Sequence, residues 1–384
     1  MKKMSEEKDK FIDPIHEQME KDALKEQKKR EVLEKELLVR ERRADNALDK
    51  IKEGDKASEI AKGTDYGALT EEDVAEKQKE NTDYMYSARN KMDFINEEFE
   101  EAIPFFRKNL ILIGGRTGEG KSTTVANIIK GMLSKINPKT GKKRRILVLT
   151  NEEKSEDVYN RVTCLIKGWH YTNHDKFTDE QIETFNQYIK FLSTDGMITV
   201  VDDSYHGAIG TTTTLEGICQ IFDNLLEKKE YYDAVLIDYY QNVKESRKNP
   251  SMNEWEVQAA LARKLDQYKN IYPAPIVVLA QVQAQPSDGN IPFKTRIEGR
   301  KSILNVATCC IEMIANREDY CTEWLIHKSR FNECVGESII TGYDKGRYVE
   351  YDDNFKNKIA ELKAKKEANA FDRSINFQPG TEDE

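Results

Sequence analysis

The stretch Asn109-Leu110-Ile111-Leu112-Ile113-Gly114-Gly115-Arg116-Thr117-Gly118-Glu119-Gly120-Lys121-Ser122-Thr123 decides the fold. Leu110 to Ile113 is a short apolar run, as expected of a parallel strand covered on both faces. Gly115, four residues, and Gly120-Lys121-Ser122 follow, and then Thr124-Val125-Ala126-Asn127-Ile128-Ile129 has helical apolar spacing. Strand, glycine-rich loop and helix in that order make a phosphate-binding loop. Glycines let backbone N–H groups turn inward around phosphate oxygens, and the helix start adds positive potential. Gly115 through Thr123 are the expected nucleotide cradle. Lys121 would supply a cation to the β- and γ-phosphates of ATP, and the Ser122 hydroxyl a ligand for Mg²⁺.

Working outward, Ile146-Leu147-Val148-Leu149-Thr150 reads as a second buried strand, ending in Asn151-Glu152-Glu153. A carboxylate at the tip of a parallel strand faces the nucleotide crevice, where Glu152 can hold and polarise an attacking water. The alternative is a solvated acid capping a helix that starts near Ser155. A third run, Ala234-Val235-Leu236-Ile237-Asp238, places Asp238 as the acid that reaches Mg²⁺. A fourth, Pro275 to Gln281, puts Gln281 at a strand tip, either against the γ-phosphate or as an ordinary polar strand end. Cys310 to Ile314 and Glu323 to Arg330 are the fifth and sixth candidates, the sixth alternating in the manner of an edge or antiparallel strand. The expected architecture is a three-layer α/β domain with a mainly parallel sheet.

The chain has 384 residues, 34% of them charged, and a net charge of -9, so it does not coat nucleic acid by bulk charge. A basic groove in an acidic molecule is compatible with that balance, because local fields decide. The charge is concentrated: 33 of residues 1–60 are Lys, Arg, Asp or Glu. Sparse apolar residues from Met19 to Ile51 predict a charged helical arm, either solvated or paired in a coiled coil. Residues 61–90 read as a linker, 91–350 as the globular core, and 351–384 as a Lys/Glu/Ala helix (about Asn354 to Ala370) with a polar tail. The charged N-terminus carries no signal-like apolar stretch, no run is long enough to span a membrane, and six cysteines show no CxxC pair. A cytoplasmic protein with reduced thiols is the expectation, in a bacterial cell or a phage-infected host.

Taken together, the motifs resemble the RecA-fold motor domain of replicative hexameric DNA helicases of the DnaB type, over roughly residues 91–350. That family's Ser-Leu-Glu-Met strand end corresponds to Thr150-Asn151-Glu152-Glu153, with Arg161 nine positions after Glu152. Its Ile-Asp-Tyr-Leu-Gln is Ile237-Asp238-Tyr239-Tyr240-Gln241 here, its Ser-Gln-Leu is Ala280-Gln281-Val282, and its Lys-x-Arg is Lys328-Ser329-Arg330. The resemblance implies that Glu152 is the catalytic carboxylate, Asp238 the magnesium acid and Gln281 the γ-phosphate sensor. It implies that Lys328 and Arg330 enter a neighbour's ATP site, and hence a homo-oligomer, a hexameric ring. On the residues alone, Lys328 and Arg330 also read as two surface cations at a strand end. The family's N-terminal primase-docking domain has no counterpart in residues 1–60. After Gln281 the usual Asn-Arg is Gln283-Ala284, and Ile303 to Thr308 replaces an acidic segment. The compact, charged-arm layout resembles bacteriophage members.

RecA-fold motors grip single strands with loops after the third and fourth of these strands, here roughly Lys244–Asn253 and Gln283–Arg300. Lys244, Arg247, Lys248, Lys294, Arg296 and Arg300 are the expected contacts to single-stranded DNA, through phosphates rather than bases, since Phe293 is the one aromatic available for stacking. Ordinary solvated loops are the alternative. The implied activity is ATP-driven translocation and unwinding in replication, with a primase or loader as further partner. Two other readings use the same residues: an ATPase of recombination or helicase loading that does not unwind, and an ATP-gated scaffold.

Overall fold

The computed structural model describes residues 108–375 apart from 138–140, 195–196, 204–211, 246–251, 286–290, 300 and 331–332, together with a few positions between 75 and 103. The charged arm, most of the linker and residues 376–384 lie outside the described residues. In chain order the elements are β1 (Leu110–Gly115), α1 (Lys121–Ser134), β2 (Ile146–Thr150), α2 (Ser155–Lys167), α3 (Asp179–Ser193), β3 (Ile198–Val201), α4 (Leu215–Glu227), β4 (Ala234–Asp238), α5 (Glu254–Ile271) and β5 (Ile276–Gln281). There follow two short helices, α6 (Phe293–Arg296) and α7 (Ser302–Val306), then β6 (Cys309–Asn316), β7 (Cys321–Ser329), β8 (Ser338–Asp344), β9 (Arg347–Glu350) and α8 (Asp353–Ile375).

Nine strands form one sheet in the order β3-β2-β4-β5-β1-β6-β7-β8-β9. The first six are parallel and the last three antiparallel. The six strands expected from sequence are all present, but β7 is not an edge, because β8 and β9 extend the sheet beyond it. β3 has no counterpart among the expected strands. It has four residues, three of them only half buried, so it lacks the long apolar run that marks its neighbours.

Strand alternation divides the core. Ile111 and Ile113 of β1 pack on one face with Val125, Ile128 and Ile129 of α1. Leu110 and Leu112 pack on the other with Phe222 of α4 and Leu261 and Leu265 of α5. The antiparallel extension has its own anchor: Trp324 is fully buried, donates Nε1–H to Thr341 Oγ1 at 2.9 Å, and meets Phe99 and Tyr348 edge-on. Burying side chains of this size contributes roughly 1.5–3 kcal/mol each, so both helical layers are held firmly against the strands whose tips carry the site. Among the described residues no helix is long and apolar enough to cross a membrane.

Candidate active site

The parallel strands β1, β2, β4 and β5 end at one rim of the sheet, in register: Thr150 lies opposite Asp238, and Gly115 opposite Gln281. The loop after β1 turns back sharply. Gly118 and Gly120 have φ of 80° and 100°, a region costly for residues with a Cβ, and Gly120 caps α1. Lys121 is buried, and its ammonium donates to the carbonyls of Gly115 and Arg116, both at 3.3 Å. Arg116 and Glu119 pair across the loop at 2.6 Å. Arg317, from the β6–β7 turn, donates to the Gly118 carbonyl at 3.0 Å.

Asp238 is about 2% exposed. Burial, then the charges of Glu152 and Glu153, push its carboxyl up to about 7, against the opposing pull of Lys121 and a hydrogen bond from Ser122. Its Oδ1 is buried without a hydrogen-bond partner, and such an atom is costly unless a cation or a proton answers it. A carboxylate beside a hydroxyl suits Mg²⁺, which takes one or two protein oxygens and fills its shell with water and phosphate. Ser122, Thr150, Glu153, Arg161 and Asp238 line a narrow cleft between α1 and α2.

Two adjacent acids have different surroundings. Glu153 pairs with Arg161, and its backbone is bonded to Thr150 Oγ1. Glu152 is exposed at the rim. It does not cap α2: the amide of Ser155 is taken by Asp202 Oδ2 at 2.6 Å. The sequence spacing that associates Arg161 with Glu152 therefore corresponds in space to an ion pair with the next residue. Gln281 reaches from the β5 tip to the phosphate loop. Its Nε2 donates to Thr117 Oγ1 at 2.8 Å.

Two residues fix these tips and have no role in the sequence reading. Asn151 receives the Tyr239 amide on Oδ1 at 3.0 Å and donates Nδ2 to the Tyr239 carbonyl at 3.0 Å, bracing the cis Asp238–Tyr239 bond from β2. Gln241 accepts the Gln281 amide at 3.0 Å and donates to the carbonyls of Gln281 and Glu298 at 3.1 and 3.0 Å. Its place in Asp-Tyr-x-Gln is the available signal. Polar side chains near strand tips are where such backbone ties occur.

Lys328 and Arg330 share a face, both reaching the carbonyl of Asn305. β7 runs antiparallel to β6 with Lys328 opposite Cys310, which places them toward the sheet rim opposite the phosphate loop. Of the expected DNA contacts, Lys244 and Lys294 are exposed, while Arg247, Lys248 and Arg300 lie outside the described residues. Arg296 requires correction: it is about 4% exposed and ion-paired with Glu312 at 2.6 Å, so its charge is spent inside the protein. Phe293 is likewise unavailable for stacking on bases, being buried against His327.

The family described as DnaB-like helicase C terminal domain matches residues 97–361. Among solved structures, the chain is similar to an isolated ATPase domain, with TM-score 0.57 and 14% identity over 75% of this chain and 100% of that one. It is also similar to a DnaB-like replicative helicase, solved in a study of its interactions with primase, with TM-score 0.55 and 15% identity over 82% of this chain and 77% of that one. No curated protein matches.

Proposed function

This chain belongs to the DnaB-like helicase C-terminal domain family, and from that premise we propose that it hydrolyses ATP to move along single-stranded DNA and unwind duplex in replication, as a hexameric ring. One observation carries the reading: Lys121, Ser122, Asp238 and Gln281 meet at one rim, at the tips of β1, β4 and β5. Ser122 and Asp238 would hold Mg²⁺, which supplies neutralisation of phosphate charge when bound. Lys121 holds the β- and γ-phosphates, Glu152 orients the attacking water, and Gln281 links the γ-phosphate to the loop behind β5. Phosphoryl transfer depends on positioning and charge neutralisation, and these residues provide both.

Lys328 and Arg330 complete the neutralisation in a neighbouring subunit. Support comes from their distance along the sheet. β6 is in register with β1 from Ile111↔Cys309, and Lys328 and Arg330 stand opposite Cys310 and Thr308, so their level lies ~10–17 Å below Gly115 at about 3.3 Å per residue, before the loop itself begins. Lys244 and Lys294, with Arg247, Lys248 and Arg300, contact phosphates of the single strand. The test is ATPase turnover with and without single-stranded DNA, strand displacement on forks with 5′ or 3′ tails, and native mass measurement with ATP to count subunits. Turnover should rise with DNA and the stimulation should fall steeply with salt, the binding slope being about -0.7 per phosphate contacted. Turnover indifferent to DNA would sink the reading.

A further inference from the structure

Arg296 and Glu312 form a buried fork: NH1 to Oε1 and NH2 to Oε2 are each 2.6 Å, and both side chains are about 5% exposed. The other Arg296 donors go to backbone, Nε to the Ile291 carbonyl at 3.0 Å and NH1 to the Gln283 carbonyl at 3.3 Å. Arg296 thus ties together both ends of the 283–291 loop. Glu312 Oε2 also meets His327 Nε2 at 2.9 Å, and the His327 ring lies flat on Phe293, 4.3 Å between centroids and 2° between planes.

The post to which this loop is tied stands beside the phosphate loop. Glu312 is the register partner of Gly114. A Cβ at Gly114 would come within 2.8 Å of the Phe293 ring and 2.7 Å of Val282, so only a glycine lets these groups approach. The Val282 amide donates to the Gly115 carbonyl at 3.2 Å, and Gln241 bonds Gln281 and Glu298 together. The first residues of the nucleotide cradle, the Gln281 tip and Gln283, Ile291 and Glu298 therefore share one set of contacts. A bidentate arginine–carboxylate pair fixes direction as well as distance. Apolar residues of similar volume generally stabilise a core as well or better, so stability alone does not account for charges in this place.

We propose that Arg296 and Glu312, with His327 and Phe293, are positioning residues that transmit movement of the nucleotide cradle to the 283–300 loop; the functional consequence rests on reading that loop as a contact to single-stranded DNA. Displacement of β1 against β6 shifts Gly114 past Phe293 and Glu312, and the fork carries the shift to Gln283 and Ile291.

The test uses the full chain, as wild type, as Glu312→Gln, and as the double variant Arg296→Met/Glu312→Leu, which removes both charges without leaving one unpaired. Hydrogen exchange is followed with and without Mg²⁺ and a slowly hydrolysed ATP analogue, and turnover with and without oligo-dT. In wild type, nucleotide should slow exchange in residues 114–123 and change it in 283–300. In the variants, 114–123 should keep its protection while the 283–300 response disappears. DNA stimulation should drop by about fivefold or more, the lower end of couplings between distinct sites. Should Glu312→Gln fail to fold, the double variant decides. A wild-type 283–300 loop that ignores nucleotide, or a double variant that responds as wild type does, overturns the proposal. A nucleotide response that needs the pair, in a protein whose turnover ignores DNA, supports the coupling and overturns the DNA reading instead.

Discussion

Replacing Asp238 by Asn should stabilise the metal-free protein while abolishing its turnover. The folded carboxyl sits near 7, raised from 3.8 by burial and by the charges of Glu152 and Glu153. The sign is opposite to that of a salt-bridged acid. The folded state retains a proton that the unfolded chain has already released, so stability falls as pH rises from about 4 to about 7 and stays low above. Three pKa units at ~1.4 kcal/mol each make the penalty ~4 kcal/mol at pH 8. At pH 5 the same linkage leaves about 2 kcal/mol, since only the unfolded carboxyl is then ionised. Asn is neutral and nearly isosteric, so it escapes the penalty at both. For a domain of this size ~2 °C per kcal/mol applies, giving a melting gain of about 8 °C at pH 8 and about 3–4 °C at pH 5. The assay is thermal unfolding by circular dichroism in EDTA. With Mg²⁺ and nucleotide the order should reverse, because ligand bound only by the folded wild type stabilises it by mass action. A variant that melts at or below wild type in EDTA at pH 8, or a gain equal at both pH values, would refute the reasoning.

Gln241→Ala strands the Gln281 amide and the Gln281 and Glu298 carbonyls; the unfolding midpoint in urea should drop by the equivalent of ~2 kcal/mol, with no change in slope. Glu152→Gln should bind ATP normally yet lower turnover by about 10²-fold or more, the scale of a positioned general base; an intact rate would transfer the role to Glu153. Arg330→Ala should reduce turnover by ~10³-fold with ATP affinity little changed, and mixing it with Lys121→Ala subunits should restore part of the rate only where each supplies what the other lacks.

The parallel half of the fold was legible because its strands are buried on both faces. Leu110–Ile113, Ile146–Leu149 and Ile276–Leu279 are uninterrupted apolar runs, and Lys121, Asp238 and Gln281 follow from where such runs end. The antiparallel extension was less legible because one face of β8 is solvated: Ile339 and Thr341 are buried while Ser338 and Ile340 are exposed. The two-residue turn Lys345–Gly346, with both φ positive, was the hairpin signal available there. Arg296 shows a different limit. A basic residue in an irregular loop looks the same in sequence whether it faces solvent or a buried acid, and its partner Glu312 lies on a strand that otherwise reads as core. Asn151 was hidden for the reverse reason, since its partners at Tyr239 are backbone groups, which leave no mark in sequence; Gln241 also ties backbone, and only its place in Asp-Tyr-x-Gln marks it.

The sheet's change of direction at β7 bears on how the motor is built. Every parallel strand delivers its C-terminal tip to the rim that holds nucleotide. A cation placed at the end of one more parallel strand would reach its own subunit's phosphates. β7 runs the other way, so its end delivers Lys328 and Arg330 to the far rim, where Leu304 and Asn305 carbonyls receive them. An Arg side chain spans ~7 Å when each bond of its stem is extended in staggered rotamers, less than the strand length separating it from Gly115. Intramolecular completion of the site would require β6 and β7 to separate, and they share an eight-residue register with Trp324 buried at its middle. A neighbour whose nucleotide rim faces this far rim meets the same two cations without any strand parting. Head-to-tail contact of that kind gives a ring where its rotation closes and an open filament where it does not, so the polarity of β7 accords with the homo-oligomer proposed above and leaves closure to the native mass measurement.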